Sequence, residues 1–157
     1  MDSQPDWSRE TAEAIIAAHA GQPGAALPIL HALQAAFGFV PREALPLVAE
    51  ALNISRAEIH GVFTFYHDFR DAPPGRHVLR LCRAEACQAA GGARLAAHTL
   101  ARLGLDWGKT SSDGAITLEA VYCLGLCACA PSAMLDGQPH GRLTEARLDA
   151  LLQEHAA

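Results

Sequence analysis

Five cysteines fall between positions 82 and 129 of this 157-residue chain, and its first half has none. Four of them form two pairs: Cys82-x4-Cys87 and, after thirty-five intervening residues, Cys123-x3-Cys127. Four thiolates brought together bind zinc or an iron–sulfur cluster. Zinc ribbons use short C-x2-C knuckles, and neither pair has that spacing. A [2Fe–2S] cluster takes four cysteines, two on each iron, so the wider loops suit one iron each. Zinc and unligated core thiols stay open as alternatives. The lack of C-x2-C also weighs against a thioredoxin-type dithiol. Leu124, Gly125, Leu126 and Ala128 are small or apolar, which limits water around an anionic group. Arg80 and Arg83 flank Cys82 and are candidates for offsetting negative charge, with ordinary solvated arginines the commoner case. Cys129 reads as a small buried residue, with an extra or swapped ligand as the sharper alternative.

These cysteines need elements to hold them. Val78, Leu79 and Leu81 make a short apolar run after the Asp71-Ala-Pro-Pro-Gly75 turn, which predicts a strand over 77–82. Apolar residues on both faces predict an inner strand. A second strand is expected over 116–122, so each cysteine pair follows a strand. Between them, Gln88 to Leu103 is alanine-rich and predicts one helix, and Thr110 to Gly114 predicts a turn. Asp136-Gly137 is a hairpin signal, flanked by expected strands at 133–135 and 141–143. Thr144 is expected to cap a last helix to Glu154. The resulting order β-α-β-β-β-α is a sheet layered with helices.

The first half reads differently. Asp6 or Ser8 is expected to cap a helix ending at Gly21. Leu27, Leu30, Leu33 and Phe37 recur at helical spacing before a Gly38 stop. Ala44, Leu45, Val48 and Leu52 form a third stripe, in which Pro46 is harmless only if the helix starts near Ala44. Ser55 and Glu58 form a capping box for a fourth helix. The expected organisation is a helical bundle over residues 1–72 and an α/β unit over 73–157. Residues 1–72 carry nine acids and four arginines, whereas 73–157 carry eight acids and eight bases.

Composition excludes several classes. No basic stripe is present, which argues against a nucleic-acid partner. Residues 14–41 lack charged side chains, but Gly21-Gln-Pro-Gly24 and Pro28 break the stretch, so direct membrane insertion is not expected. The start is polar and acidic, with no visible secretion signal, so the expected compartment is the cytoplasm. There, clustered cysteines point to metal or redox chemistry before disulfides. His60 and His67 share a spacing of seven, too few ligands for a site. Phe63, Phe65, Tyr66 and Phe69 are expected in core and interdomain packing, with an electron path or partner surface as the alternative. No Ser-His-Asp set, G-x-G-x-x-G or P-loop is present, so no catalytic residue is expected in this chain.

Gly61-Val-Phe-Thr-Phe-Tyr66, Pro74-Gly-Arg-His77, Cys82-x4-Cys87 and Cys123-Leu-Gly-Leu-Cys127 with Ala130-Pro131 together resemble the thioredoxin-like [2Fe–2S] subunit of NADH dehydrogenases. That family includes the small iron–sulfur subunit of respiratory complex I, the gamma subunit of soluble NAD-dependent formate dehydrogenases, and diaphorase subunits of NAD-linked hydrogenases. The resemblance runs from about Leu27 to the end. Cys82-Arg-Ala-Glu-Ala-Cys87-Gln and Asp136-Gly-x-x-His-Gly141 look most like the formate dehydrogenase subunit. The resemblance implies an α+β chain, a helical bundle followed by a thioredoxin-like domain. It implies Cys82, Cys87, Cys123 and Cys127 as ligands of one [2Fe–2S] cluster. It also implies a partner subunit holding FMN and NAD(H) and, in a formate dehydrogenase, a large molybdenum or tungsten subunit. The expected function is electron transfer, non-catalytic alone. Competing readings are a zinc-stabilised adaptor and a thiol oxidoreductase using Cys127 and Cys129.

Overall fold

The structure, a computed structural model, describes residues 7–155; Asp6, an alternative cap for the first helix, lies outside them. The chain divides into two compact units, Met1–Pro73 and Pro74–Ala157.

The first unit is four helices: α1 (Arg9–His19), α2 (Ala26–Phe37), α3 (Ala44–Leu52) and α4 (Arg56–Phe65). Local chemistry sets their ends. The Ser8 hydroxyl caps α1 by accepting the Thr11 N–H. Gly38 closes α2 with φ 79°, a conformation that costs glycine little. Because α3 begins at Ala44, Pro46 sits in its first turn, where its missing N–H has no helical partner to lose. Ser55 and Glu58 form both halves of the capping box on α4. Ile29, Leu30, Leu33, Phe37, Val48 and Ile59 fill the core. Each such side chain contributes about 1.5–3 kcal/mol by leaving water. The aromatic segment divides: Phe63 and Phe69 are buried in the core, whereas Phe65 and Tyr66 are exposed. α4 ends at Phe65, and Tyr66 has extended backbone, so the helical periodicity that would turn them inward stops there.

The second unit is a five-stranded sheet in the order β2-β3-β1-β4-β5, with three α-helices, a π segment and a 3₁₀ turn. Its strands are β1 (His77–Cys82), β2 (Lys109–Thr110), β3 (Ile116–Val121), β4 (Ala133–Leu135) and β5 (Gln138–His140). β1 lies at the centre, parallel to β3 with His77 opposite Ile116 and Cys82 opposite Val121, and antiparallel to β4. Parallel neighbours need a long crossover. It is supplied by a single helical turn α5 (Glu85–Cys87), a π segment Gln88–Gly92, and α6 (Ala93–Leu103). α7 (Glu145–Glu154), capped by Thr144, completes the unit. Leu79, Leu81, Leu118, Leu135 and Leu148 are its fully or nearly fully buried leucines.

Three expectations are corrected. The helix expected from Gln88 begins at Glu85 and kinks at Gly91, whose φ of 93° no helix holds. Lys109–Thr110, expected in part as a turn, pairs with β3 through Leu118 and Thr117. The second hairpin strand is Gln138–His140, not 141–143. Asp136 (φ 50°) and Gly137 (φ 82°) make a two-residue loop with both residues left-handed, which brings Gln138 directly opposite Leu135. Pro139 is tolerated because β5 is the sheet edge.

Candidate metal centre

Cys82 is the last residue of β1, and Cys123 lies two residues past the end of β3. Because the two strands are adjacent and parallel, their C-terminal ends lie side by side. The β-ladder therefore delivers both cysteine loops to the same end of the sheet, at the C-terminal ends of its two parallel inner strands. The first loop turns straight into α5, which carries Cys87. The second carries Cys127 at the start of the 3₁₀ turn Cys127–Cys129.

The loop after β3 has an irregular backbone. Cys123 has φ 95°, left-handed for a residue with a side chain, and Gly125 follows with φ 77°. A non-glycine residue held there costs on the order of 1–3 kcal/mol. The result is three consecutive amides aimed at sulfur. The backbone amides of Cys123 and Leu124, with that of Ala84, act to lower the Cys82 thiol. The Gly125 N–H donates to Cys123 Sγ at 3.4 Å. Such a run of amides is an anion-binding concavity. It also links the two loops, since amides beside Cys123 serve a sulfur of the other pair.

The thiols respond to this setting. Burial pushes the Cys82 thiol up, and this is the largest single influence. The amides of Ala84, Cys123 and Leu124, with the Cys87 thiol, together outweigh it and hold Cys82 below the ordinary thiol value. Cys127 moves the other way: its hydrogen bond with Cys123, then the charge of the Cys123 thiolate, hold its proton on. Cys123 Sγ and Cys127 Sγ stand 3.7 Å apart. Two sulfurs bound at about 2.3 Å to one tetrahedral metal lie about 3.8 Å apart. Cys82 and Cys87 are buried, 3% and 2% exposed, while Cys123 and Cys127 are exposed.

The donor set fits a [2Fe–2S] cluster: two thiol pairs on adjoining strand ends, one at metal-ligand spacing, with amides turned to sulfur. Among the described residues, no three His, Cys, Asp or Glu side chains are gathered around a single-ion position. The arginines are engaged elsewhere. Arg80 pairs with Glu119 at 2.9 Å, and the Arg83 guanidinium lies 4.8 Å over the Trp107 ring. Cys129 belongs to the scaffold: its carbonyl accepts the Arg142 N–H, and its Cβ faces Gly141. Sequence reasoning missed Gly92, Ser132 and the packing of Gly141 against Cys129. A Gly-Gly pair inside an alanine-rich helix was a signal for the first; the others depend on contacts distant in the chain.

The sequence matches the thioredoxin-like [2Fe-2S] ferredoxin family over residues 12–156. It is 38% identical over 149 residues to a subunit of NADH-quinone oxidoreductase from Rhizobium meliloti (strain 1021), covering 95% of this chain and 89% of that one. It is 29% identical to the HndA subunit of the NADP-reducing hydrogenase of Solidesulfovibrio fructosivorans, over 84% of this chain and 77% of that one. Its fold is similar to part of an NAD+-reducing [NiFe]-hydrogenase crystal structure, with a TM-score of 0.67 and 31% identity. That match covers 81% of this chain but only 22% of the hydrogenase chain. No helix among the described residues is long and apolar enough to cross a membrane. A family match across nearly the whole chain settles the kinship: the chain belongs to the thioredoxin-like [2Fe-2S] ferredoxin family, and a [2Fe-2S] cluster is its cofactor.

Proposed function

We propose that this chain is the electron-transfer subunit of an NAD(P)H-linked oxidoreductase, with Cys82, Cys87, Cys123 and Cys127 as the cluster's four ligands. The observation that carries the reading is the parallel pairing of β1 and β3, which sets the two cysteine loops side by side at adjoining strand ends, with Cys123 Sγ and Cys127 Sγ 3.7 Å apart. The bound cluster supplies one-electron acceptance and donation. The chain's own residues set its surroundings. Cys82 and Cys87 hold the buried side, among amides that stabilise negative sulfur. Cys123 and Cys127 hold the exposed side, where an electron donor on another subunit can approach. In this reading FMN and NAD(H) sit on a partner subunit, as in the NADH dehydrogenase-like complexes whose subunits this chain resembles.

The names of the relatives favour a place in an NADH-quinone oxidoreductase or an NAD(P)-linked hydrogenase. The formate dehydrogenase reading, with its molybdenum or tungsten subunit, is the second one. It rests on the Cys82-Arg-Ala-Glu-Ala-Cys87-Gln loop and Asp136-Gly-x-x-His-Gly141. Purification of the native complex separates the two. Quinone-linked membrane subunits or a nickel-containing subunit support the first, and a molybdenum- or tungsten-containing subunit supports the second. The cluster itself is tested by metal analysis and EPR. The expected protein is brown, with about two irons and two sulfides per chain and a signal on reduction. A colourless, zinc-loaded protein would sink the reading and favour the adaptor alternative.

A further inference from the structure

Ser132 is buried, 1% exposed, and it contacts both cysteines of the first pair. Its carbonyl accepts the Cys82 N–H at 3.0 Å. Its Oγ lies 3.4 Å from Cys87 Sγ, also buried. The contact spans forty-five residues of sequence and is built by the sheet. β4 pairs with β1 so that Ala133 faces Leu81, which puts Ser132, the residue before β4, beside Cys82.

We infer that Ser132 is a positioning residue that raises the reduction potential of the cluster by donating its hydroxyl hydrogen bond to Cys87 Sγ. This rests on Cys87 being a ligand. With both groups protonated, either can donate. A ligating thiolate has no proton, so the hydroxyl must donate and the sulfur accept. No described buried side-chain oxygen or nitrogen lacks a partner, and the hydroxyl's partner is this sulfur. Turning away would leave a buried hydroxyl unpaired, so the donor stays aimed. When one electron is added, negative charge on the ligand sulfurs grows; no bond breaks, and the proton stays on Oγ. A donor facing that sulfur stabilises the reduced state more than the oxidised one, which raises the potential.

The test is an EPR-monitored redox titration, with dithionite as reductant, of the cluster-loaded full chain. Ser132→Ala is expected to lower the reduced-to-oxidised ratio at a fixed poise by about tenfold, equal to 59 mV for a one-electron couple. Ser132→Thr, which keeps the hydroxyl, is expected to stay near the wild-type potential. Thr144→Ala, which removes the cap of α7, is expected to lower melting temperature and leave the potential alone. If S132A does not load, Ser132→Gly is read in its place, since it removes the hydroxyl without adding bulk. A loaded S132A or S132G with the wild-type potential overturns the inference. A different result separates failure of the ligand reading: Cys87→Ser would then leave the reduced-state spectrum unchanged.

Discussion

Gly92 approaches Cys87 so closely that a Cβ built on it would stand 2.5 Å from the Cys87 carbonyl oxygen and 2.8 Å from its carbon. The obstacle is backbone, so it cannot swing aside as a side-chain tip would. The kink at Gly91 permits the approach by reversing the chain between α5 and α6. Gly92→Ala is therefore expected to displace the Cys87 turn and cost on the order of 1–3 kcal/mol, the usual range for overpacking. Iron per chain should fall with it. Gly61→Ala, inside α4 with open space around it, is the control: it should keep the iron content and hold or raise the melting temperature, since Ala favours a helix interior. Iron analysis and thermal melting check this, and full iron content in G92A would count against the role given to Gly92.

A second close approach concerns Cys129 and Gly141. A Cβ on Gly141 would meet the Cys129 Cβ at 2.7 Å and its carbonyl oxygen at 2.9 Å. The neighbouring Arg142 N–H donates to that same carbonyl. Cys129 thus anchors the 3₁₀ turn that begins at Cys127 by its backbone and Cβ, not by its sulfur. Replacing only the sulfur, in Cys129→Ser, should leave the visible and EPR spectra as in the wild type. Cys82→Ser, Cys87→Ser, Cys123→Ser and Cys127→Ser should each bleach or shift them. A spectrum altered by C129S and untouched by C123S would reassign the ligand to Cys129, and loss of dithiol activity in C129S would revive the oxidoreductase alternative.

What could be read beforehand follows from how local its cause is. β1 was legible because Val78, Leu79 and Leu81 are apolar and a Pro-Gly turn precedes them. The α4 capping box was legible because Ser55 and Glu58 are three residues apart and bond each other. β2 was not, because Lys109 and Thr110 are exposed and owe their strand character to backbone pairing with β3 alone. The second hairpin strand was misplaced because Gln138 and Pro139 carry no strand signal; the Asp136-Gly137 loop length set it. The cysteine spacing was visible in the sequence. The amides of Cys123 and Leu124 turned toward Cys82, and the Ser132 hydroxyl, arise from strand adjacency that no local pattern encodes.

The capping box gives a pH dependence with a definite sign. The Ser55 N–H, first, and the Ser55 hydroxyl, second, hold the Glu58 carboxyl below its ordinary value. A folded-state value below the unfolded one, near 4.3, means the contribution is fully present above about pH 4.3. It is lost as pH falls through the folded value. Glu58→Gln keeps a side chain able to bond the Ser55 N–H but removes the charge. The stability difference between wild type and E58Q, from urea midpoints, should therefore be constant near neutrality and shrink as pH falls below about 4.3. A difference independent of pH would show that the charge does not contribute. Ser55→Ala should cost about 1 kcal/mol at neutral pH, the usual loss for an N-cap.

The far end of β1 separates fold stability from cluster chemistry. Asp136 Oδ1 accepts the Val78 N–H at 2.8 Å, and Oδ2 meets His77 Nδ1 at 2.6 Å. Both contacts fasten the hairpin loop to the first residues of β1, whereas the cysteines lie at its last residue and beyond. Asp136 also has φ 50°, which Asn tolerates better than Ala. Asp136→Asn keeps an acceptor for Val78 and the left-handed backbone but removes the charge facing His77. Asp136→Ala loses the acceptor and the charge, and strains the turn. D136A should therefore destabilise by about 1–3 kcal/mol, the cost of an orphaned amide and a strained turn, with D136N at a smaller loss. Neither should move the reduced-state EPR spectrum, because the sheet spans the whole length of β1 between the two ends. An altered spectrum in D136N, with stability intact, would mean that the hairpin end communicates with the cysteine loops.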